Sequence, residues 1–568
     1  MAERAARLER MLGDPDDPAN PTGTRALLRA DRAGALSPEA EHVLDAYGMN
    51  EEFVPRALGG RFDSAETLLR IMRPVFRRDV ALGMGYGMTT FMAASDVWMT
   101  GDRAQRGRLA DLVLSGSKAA IAQHETAHTN DFVKSQIRAD RDATGGLVLT
   151  GAKPVINNMQ RADALVLFCR TGGPGSTGHS ALLLDPRRFP EDRHRVTRRP
   201  PSVGLRGYFC AGVEFDRCPV PEDALLGAPG SGVATALRSF QISRTLMASL
   251  VVAAVDTSLR TAVLVDRTQA PGGAAHAPAD SRQVAHTVTG AFTDLLLYDS
   301  LAVVATRALH LLPGETSLYS AAVKSLLPKV LSEAMYDLST VLGSQLYTRE
   351  GTVGLFQKHL RDVPVVSLGH AGTAACQATI IPQLDSLARG SWFTGEEAPA
   401  ALFRPADPLP PFRYERLGIA AGGRDGLSAS LLAAAACVPG GTPEARALRA
   451  LAEQLVGELR DLRARVLALP PLAAGGPTSP AWFALCDRYA LVLAAAAVLG
   501  VWRHSRPGRD PFLADPSWAA AALHRINRRL GLRPPDLPPG CTARVHQEVL
   551  ARFGGGRSYD LYDAPVPG

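Results

Sequence analysis

The spacing of apolar residues along the chain changes from a helical to an extended period near residue 119. In residues 1–118 apolar positions recur at helical spacing, for example within 65–75. Between residues 119 and 230 the apolar runs become short and are bounded by Gly, Pro or Asp, as at 164–168 and 181–184. The pattern predicts an N-terminal helical domain over 1–118 and a compact β domain over 119–230.

Helical spacing returns at residue 231 and continues to about residue 400. Three Ala- and Leu-rich stretches in this region have the length of helices, at 234–265, 283–311 and 319–342. Packed helices would bury the apolar faces of these stretches, so we expect a four-helix domain over 231–400.

The rest of the chain divides into a linker and a further helical region. Residues 404–413 are rich in Pro and predict a linker. Alternating apolar and charged positions after it predict an additional helical tail domain over 414–568. The closing residues 554–568, rich in Gly and Pro, are expected to be a flexible terminus.

Composition and charge narrow the classes of function. The 568-residue chain has a net charge of +6, and only six of its 62 basic residues are lysines, so arginine supplies the excess. Such a bias reflects genomic base composition or a positively charged entrance that attracts an anionic thioester. No basic run with interleaved aromatic residues is present, which argues against a nucleic-acid partner.

Cysteine usage and hydropathy indicate the compartment. Seven cysteines without a Cys-x-x-Cys pair fit a reducing compartment better than a disulfide framework or a zinc site. The first residues are charged and lack the apolar stretch of a signal peptide. The longest apolar run, 489–502, is too short to span a bilayer. We therefore expect a cytoplasmic protein without a membrane span.

Five motifs occur in a fixed order between about residue 70 and residue 385. They are Gly151-x-Lys153 with Ile156-x-Asn158, the Gly-x-Arg-Gly loop that runs from Gly204 to Gly227, Gly230-x-Gly232 with Ser243-Arg244, Arg361-Asp362, and Gly372-Thr373. Together they resemble the acyl-CoA dehydrogenase and acyl-CoA oxidase superfamily. The resemblance implies an α+β fold with an N-terminal helical domain, a central small β-barrel or sheet domain and a C-terminal four-helix bundle, followed here by an extra C-terminal helical domain.

The resemblance also implies a cofactor, a reaction and partners. FAD would be shared between the β domain, the C-terminal helices and a neighbouring subunit. In the family reaction a base removes the α proton of an acyl thioester, and the β hydrogen leaves as a hydride to the flavin. An α proton beside a thioester is weakly acidic, so the carbonyl must be polarised and a base must lie close. The implied partners are an acyl-CoA or acyl-carrier-protein substrate and a second subunit, either identical or related.

Two loops are expected to contact the flavin. In the first loop, His124 and Asn130 replace a Thr and a Ser of the family, and both can still hydrogen-bond the cofactor. Glu125 keeps the family residue in that loop. In the second loop, Val155 replaces a Trp that stacks on the flavin ring, and Asn157 can still reach flavin N5 through its amide.

The first loop has two other interpretations. It could be a polar loop without chemistry. Alternatively, His124, Glu125 and His128 could bind a metal ion, but no further cluster supplies the remaining ligands, so we expect no metal.

Four more residues are implied in binding the adenine and pyrophosphate end of FAD. Arg267 and Gln283 correspond to an Arg and a Gln of the C-terminal helices, although Arg267 is equally well interpreted as a solvated charge at a helix end. Gly343 and Thr373 are candidates that a partner subunit would contribute.

The usual base is missing. The two positions at which the family carries its catalytic Glu are Ala371 and Ser243 here. His370 is adjacent to the first position and has an ordinary pKa suited to proton transfer, although it could only cap or pack. Glu125 is the second candidate for a catalytic residue.

Three functions remain open at the level of sequence. The first is a flavin-dependent oxidoreductase that acts on the CH–CH group of an acyl thioester, with a displaced base. The second keeps the flavin but performs an oxidase, monooxygenase or non-desaturating reaction. The third is a non-catalytic subunit that pairs with an active relative.

Overall fold

The computed structural model describes residues 2–128, 131–143, 145–173, 175–198, 201–268, 278–369, 372–405, 407–472 and 479–567. Helices come first, strands follow between residues 118 and 226, and helices resume at Gly232. This order agrees with the order that the apolar spacing predicts. The first helices are α1 (Ala2–Leu12), α2 (Thr24–Arg32), α3 (Pro38–Tyr47), α4 (Ala65–Arg78), α5 (Val80–Leu82), α6 (Thr89–Thr100) and α7 (Arg103–Leu114).

Local sequence explains where these first helices begin and where one of them is irregular. The Ser64 hydroxyl accepts a hydrogen bond from the Thr67 N–H at 3.0 Å and caps α4. Asp102 and Gln105 form a capping box at the start of α7. A π-helical turn, Gly83–Met88, joins α5 to α6, and such turns are frequent at functional sites.

The β domain is one sheet. Its strands are β1 (Lys118–Ala122), β2 (Arg138–Arg141), β3 (Leu147–Ile156), β4 (Ala162–Arg170), β5 (His179–Leu184), β6 (His194–Arg198), β7 (Ala211–Val220) and β8 (Leu225–Leu226). They run in the order β6-β7-β3-β2-β4-β5-β8, with β1 parallel to β4. An apolar core that includes Leu149, Leu165 and Val213 fills the interior of this domain.

The second helical region forms a bundle that continues into the tail. Its helices are α8 (Gly232–Thr268), α9 (Pro278–Leu311), α10 (Thr316–Leu342), α11 (Gly351–Leu368), α12 (Thr373–Ile380) and α13 (Leu384–Gly390). The tail adds α14 (Gly426–Ala436), α15 (Pro443–Ala468), α16 (Pro480–His504), α17 (Pro516–Arg529) and α18 (Pro539–Gly554). Helices α16, α17 and α18 pack on α9, so bundle and tail share one apolar core.

Within the described residues, three helices are long and apolar enough to cross a membrane by length and composition alone. They are α8, residues Arg282–Leu311 of α9, and α16. The apolar run at 489–502 therefore belongs to a longer helix than the run itself suggests. The most apolar windows of the three helices are 83%, 94% and 83% buried inside the protein, so neighbouring elements cover most of their apolar surface.

The expectation of a flexible C-terminus is wrong. Residues 557–567, here called the C-terminal strap, return to the N-terminal helices, and Tyr559, Asp560 and Leu561 are buried. The Leu561 N–H donates to Asp299 Oδ2 at 2.8 Å and the Tyr559 N–H donates to Asp256 Oδ2 at 3.2 Å. The strap is therefore bound to α8 and α9 through the backbone of Tyr559 and Leu561.

Two buried arginines of α4 complete the anchorage of the strap. Asp560 Oδ2 lies 2.9 Å from Arg73 Nη1 and 2.9 Å from Arg77 Nη2. Arg73 also pairs with Asp299, and Arg77 Nε lies 3.2 Å from Asp256 Oδ2. Burial raises the pKa of Asp560, but these guanidinium groups outweigh burial and hold it well below its usual range. The network joins the N-terminal domain, the bundle and the strap.

The Pro-rich linker is also packed. The Phe412 ring lies edge-on to Tyr414 at 4.7 Å and to Phe62 at 5.7 Å. The Pro410 carbonyl lies 2.8 Å from Nδ1 of the buried His310. The segment therefore fixes the tail against the N-terminal domain and α9.

Candidate functional site

A cavity of about 330 Å³ lies where the β domain meets helices α8, α10 and α11. The two loops that the sequence predicts as flavin-binding both reach it, through His124 and Asn157. Its apolar wall includes Met84 of the π-helical turn and Met247 of α8. A concave, mostly apolar site with a few polar groups is the usual form of a small-molecule site, and its volume lies in the common range.

The side-chain amide of Gln123 is the most informative polar group of the cavity. Gln123 lines the cavity at the end of β1 and is only 3% exposed. Neither Oε1 nor Nε2 has a hydrogen-bond partner among the described residues. Leaving a buried amide unsatisfied is costly and rare in folded proteins. A donor and an acceptor thus face the cavity without protein partners, as a site for a polar ligand requires.

Lys324 brings a buried amine to the same cavity from α10. It is 2% exposed, and its Nζ donates to the Val366 carbonyl of α11. Burial, with a smaller effect of the nearby Arg244 charge, lowers the pKa of Lys324 to about 8. No carboxylate of the described residues lies within salt-bridge distance of Lys324, so its charge is available to an anionic or electron-rich ligand.

Glu125 is held by its own loop. Its carboxylate accepts hydrogen bonds from the Ser135 hydroxyl at 2.5 Å and from the N–H groups of Gln136 and Ile137 at 2.9 and 3.1 Å. Lys153 Nζ lies 3.3 Å away. Burial raises the pKa of Glu125, but these groups outweigh burial and lower it. A carboxylate so engaged is a weak proton acceptor, and these contacts disfavour the predicted catalytic role of Glu125.

His124 is a neutral ring in this environment. It lies parallel to the Phe240 ring, with 6.2 Å between the ring centroids and 6° between the planes. Burial, followed by the positive charges of Lys153, Arg244 and Lys324, lowers the pKa of His124 to about 4. At neutral pH the imidazole therefore offers one donor and one acceptor rather than a charge.

The Gly-x-Arg-Gly loop forms one wall of the cavity through Leu205 and Tyr208. Gly207 has a φ of +78°, and a Cβ there would lie 2.2 Å from the carbonyl carbon of Ala35. Leu205 has the unusual φ of 51°, and its N–H donates to Asp362 Oδ1 at 2.9 Å. The loop therefore needs glycine where it meets the connection between α2 and α3, and it needs Asp362 of α11 as an anchor.

Asp362 is itself fixed by a buried cluster, which explains why the sequence carries Arg361-Asp362 here. Lys358 Nζ lies 2.6 Å from Asp79 Oδ1 and 2.7 Å from Asp362 Oδ2. Burial lowers the pKa of Lys358, but the two carboxylates outweigh burial and raise it above its ordinary value. Arg361 pairs in turn with Asp31 of α2 at 2.5 Å. The cavity wall thus rests on a rigid set of ion pairs.

The four residues predicted for the adenine and pyrophosphate end do not line this cavity within one chain. Arg267 is exposed, about 30 Å along α8 from Met247 by helical rise, and its guanidinium lies 5.6 Å from the Phe553 ring of α18. Gln283 is exposed near the start of α9, while Gly343 and Thr373 are exposed beside α10 and α12. A contribution of these residues from a partner subunit stays a prediction.

Two predicted site residues, Asn130 and His370, lie outside the described residues, as does Ala371. Gly369, directly before His370, lines the cavity. The roles assigned to Asn130 and His370 therefore stay predictions.

Four residues that line the cavity were not predicted from the sequence, namely Gln123, Lys324, Met247 and Tyr208. The burial of Lys324 could have been inferred from the sequence, because Lys324 precedes Leu327 and Leu331 by three and seven positions in an Ala- and Leu-rich helix. That spacing places the amine on the apolar, buried face of α10. Gln123 had no such signal, since the burial of its amide depends on the packing of distant helices.

Comparison with known proteins identifies this architecture. No protein-family model matches the sequence. The chain is 27% identical to isovaleryl-CoA dehydrogenase of Solanum tuberosum over 180 residues, which span 31% of this chain and 43% of that protein. It is 25% identical to the human short-chain specific acyl-CoA dehydrogenase over 337 residues, 58% of this chain and 77% of that protein.

Solved structures share the fold at lower identity. Butyryl-CoA dehydrogenase of Megasphaera elsdenii matches with a TM-score of 0.58 and 17% identity, covering 66% of this chain and 96% of that chain. The FAD complex of PigA matches with a TM-score of 0.59 and 19% identity, covering 67% of this chain and 96% of that chain. The predicted α+β fold of the acyl-CoA dehydrogenases is confirmed by these structures, and the chain is similar in sequence to acyl-CoA dehydrogenases.

Proposed function

We propose that this chain is an FAD-dependent oxidoreductase that acts on an acyl thioester. The observation that carries the proposal is the buried, unpartnered amide of Gln123, which faces a cavity between the two loops expected to bind flavin. The acyl-CoA dehydrogenases similar to this chain and the FAD complex with this fold support the same class of cofactor and substrate.

The cavity residues fit a flavin ring. The amides of Gln123 and Asn157 would hydrogen-bond its polar edge, and Leu205 and Met247 would cover its apolar faces and exclude water. The positive charge of Lys324 would stabilise negative charge on a bound ring or carbonyl. When bound, FAD supplies the capacity to accept a hydride.

His370 is the proposed proton acceptor. Among the described residues that line the cavity, Glu125 is the only carboxylate, and its hydrogen bonds occupy it. His370 follows the cavity-lining Gly369 and is adjacent to the position of the family's usual base. An imidazole at this position could remove an α proton whose carbonyl is polarised by nearby donors.

The hydrogen bonds and the ion pair that occupy the Glu125 carboxylate also favour a second candidate function. Without a free carboxylate, the same cavity could support a flavin-dependent oxidase or monooxygenase reaction that needs no α-proton removal. The thioester carrier is proposed to be coenzyme A or an acyl-carrier protein, and the chain is proposed to form oligomers in the cytoplasm. A non-catalytic subunit would be the outcome if the isolated protein shows no reaction.

Anaerobic reduction of the FAD-loaded protein tests the proposal. Acyl-CoA and acyl-carrier-protein thioesters should bleach the visible flavin absorption, and His370→Gln should slow bleaching without weakening FAD binding. His42→Gln, at an exposed position of α3, is the matched control and should bleach like the parent. Absence of bleaching with either carrier, combined with substrate consumption only in oxygen, would favour the second candidate. Absence of any reaction would contradict both enzymatic proposals.

A further inference from the structure

A second cavity, of about 430 Å³, lies where the tail domain meets α4 and the C-terminal strap. It shares no lining residue with the cavity described above. Its walls come from α4, the segment after residue 403, the turn after α16, α18 and the strap. These segments are distant in sequence, so the folding of the tail onto the N-terminal domain creates the cavity.

Arginine dominates this lining. Six guanidinium groups surround the cavity, against four carboxylates, which leaves two positive charges in excess. The arginines are Arg70, Arg404, Arg506, Arg509, Arg544 and Arg557. Clustered guanidinium groups repel one another, so a folded protein keeps such a cluster only where anions compensate it.

Two of the four carboxylates already serve other groups. Asp510 Oδ1 accepts the N–H groups of Phe512 and Leu513, each at 3.0 Å. Glu548 pairs with Arg552 at 3.0 Å and with two arginines of the lining, Arg544 at 3.2 Å and Arg557 at 3.5 Å. Asp510 therefore stabilises its own turn, and Glu548 neutralises charge only on the side of the cavity that α18 forms.

The arginines nearest the linker are poorly paired. Arg506 and Arg509 share one carboxylate, that of Asp407, at 3.9 and 3.7 Å, which exceeds a good charge-assisted hydrogen bond. Arg404 has a buried Nε without a hydrogen-bond partner, and it has no ion pair with any carboxylate of the described residues. Three guanidinium groups therefore retain unused hydrogen-bonding capacity at one end of the cavity.

A flat aromatic surface lies beside these arginines. Phe403 and His504 are stacked, with 5.5 Å between ring centroids and 10° between planes. Burial, then the charges of Arg503 and Arg404, lowers the pKa of His504 and favours the neutral ring. Both rings line the cavity.

We propose that this cavity binds a diphosphate group, either free or attached to a planar ring. Guanidinium groups match phosphate oxygens in bidentate geometry, and Arg404, Arg506 and Arg509 supply them. Phe403 is only 2% exposed, so the half-buried His504 ring that stacks on it provides the surface against which an attached ring can pack. The strap residue Tyr562 also lines the cavity, so a bound ligand would contact the strap directly.

Isothermal titration with inorganic pyrophosphate and with ADP tests this site, using full-length protein saturated with FAD so that ADP does not occupy the flavin site. The double variant Arg506→Gln/Arg509→Gln should weaken pyrophosphate binding about tenfold or more. These side chains are 58% and 61% exposed, so the fold should persist. Asp407→Asn should strengthen binding, because it removes a competing carboxylate.

The matched control removes two arginine charges from the β domain instead of from the cavity. Arg188→Gln/Arg195→Gln alters side chains that are 85% and 73% exposed in the β domain and should bind pyrophosphate like the parent. Tighter binding of ADP than of pyrophosphate identifies a ring-bearing ligand, and equal binding identifies a free diphosphate. Absence of binding, or equal weakening by both double variants, would overturn the proposal.

Discussion

Two buried polar regions of this protein differ in how their groups are paired. In the network under the C-terminal strap, Arg73, Arg77, Asp299 and Asp560 each have an oppositely charged partner within 3.2 Å. In the cavity of the β domain, the Gln123 amide has no partner among the described residues. The charges of the first region pair with one another and stabilise the fold, although Arg73 Nε has no hydrogen-bond partner among the described residues. The second is incomplete, and a ligand would complete it.

The difference shows why burial alone does not identify a site. Asp560 and Gln123 are buried to a similar extent, 1% and 3% exposed. They differ in their partners, because Asp560 pairs with two arginines and the Gln123 amide has no partner among the described residues. A buried polar group without a partner carries a desolvation cost that a bound ligand can remove. Substitutions in the strap network should therefore change stability, while substitutions in the cavity should change ligand affinity.

The largest expected effect is on the strap network. Asp560→Ala removes the carboxylate shared by Arg73 and Arg77 and should lower the free energy of unfolding by about 3–5 kcal/mol. Urea denaturation measures this loss. Asp216→Ala, at an exposed position, is the control and should change stability by less than about 0.5 kcal/mol. Equal stability of Asp560→Ala and the parent would contradict the stabilising role of the network.

The next effect concerns the buried amine of the cavity. Because burial lowers the pKa of Lys324 to about 8, the folded protein binds fewer protons than the unfolded chain between pH 8 and about 10.4. The free energy of unfolding should therefore rise with pH across this window, by about 3 kcal/mol relative to Lys324→Met. Lys329→Met, at an exposed position of the same helix, should keep the slope of the parent. Identical slopes in all three proteins would contradict the burial of a charged Lys324.

A smaller effect distinguishes the stability cost of a positive φ from that of a steric clash with neighbouring backbone. Gly207 and Gly34 both have positive φ, +78° and +67°, but only at Gly207 would a Cβ meet backbone atoms. Gly34→Ala should cost about 1–2 kcal/mol of stability from strain alone. Gly207→Ala should cost about 1 kcal/mol more and weaken FAD binding as well, because the loop carries Leu205 and Tyr208. Equal effects of the two substitutions would mean that the loop does not rest on Ala35.

The sequence predicted the long helices and the strands at 164–168 and 181–184, because apolar spacing is a local property. The stretch 319–342 lies within α10, and 164–168 lies within β4. The strap was misjudged for the same reason. Its Gly- and Pro-rich composition indicates a loose end, while its burial depends on Arg73 and Arg77, nearly five hundred residues earlier in the chain.

The candidate site could be predicted only in part. The loops that carry His124 and Asn157 line the same cavity as the helices after residue 232. The engagement of Glu125 could not be predicted, since the Ser135 hydroxyl that binds it lies ten residues along an irregular loop. The burial of Gln123 depends on how several distant elements pack, so the sequence around Gln123 does not indicate that its amide is buried.

The central claim, that the cavity around Gln123 holds a flavin ring, is tested most directly by titrating cofactor-free protein with FAD and recording the visible flavin absorption. The account predicts saturable binding with a shifted absorption band. Gln123→Leu should weaken the binding about tenfold while the urea midpoint stays at or above that of the parent, because the unpaired amide is gone. No binding, or binding that Gln123→Leu leaves unchanged, would contradict the account.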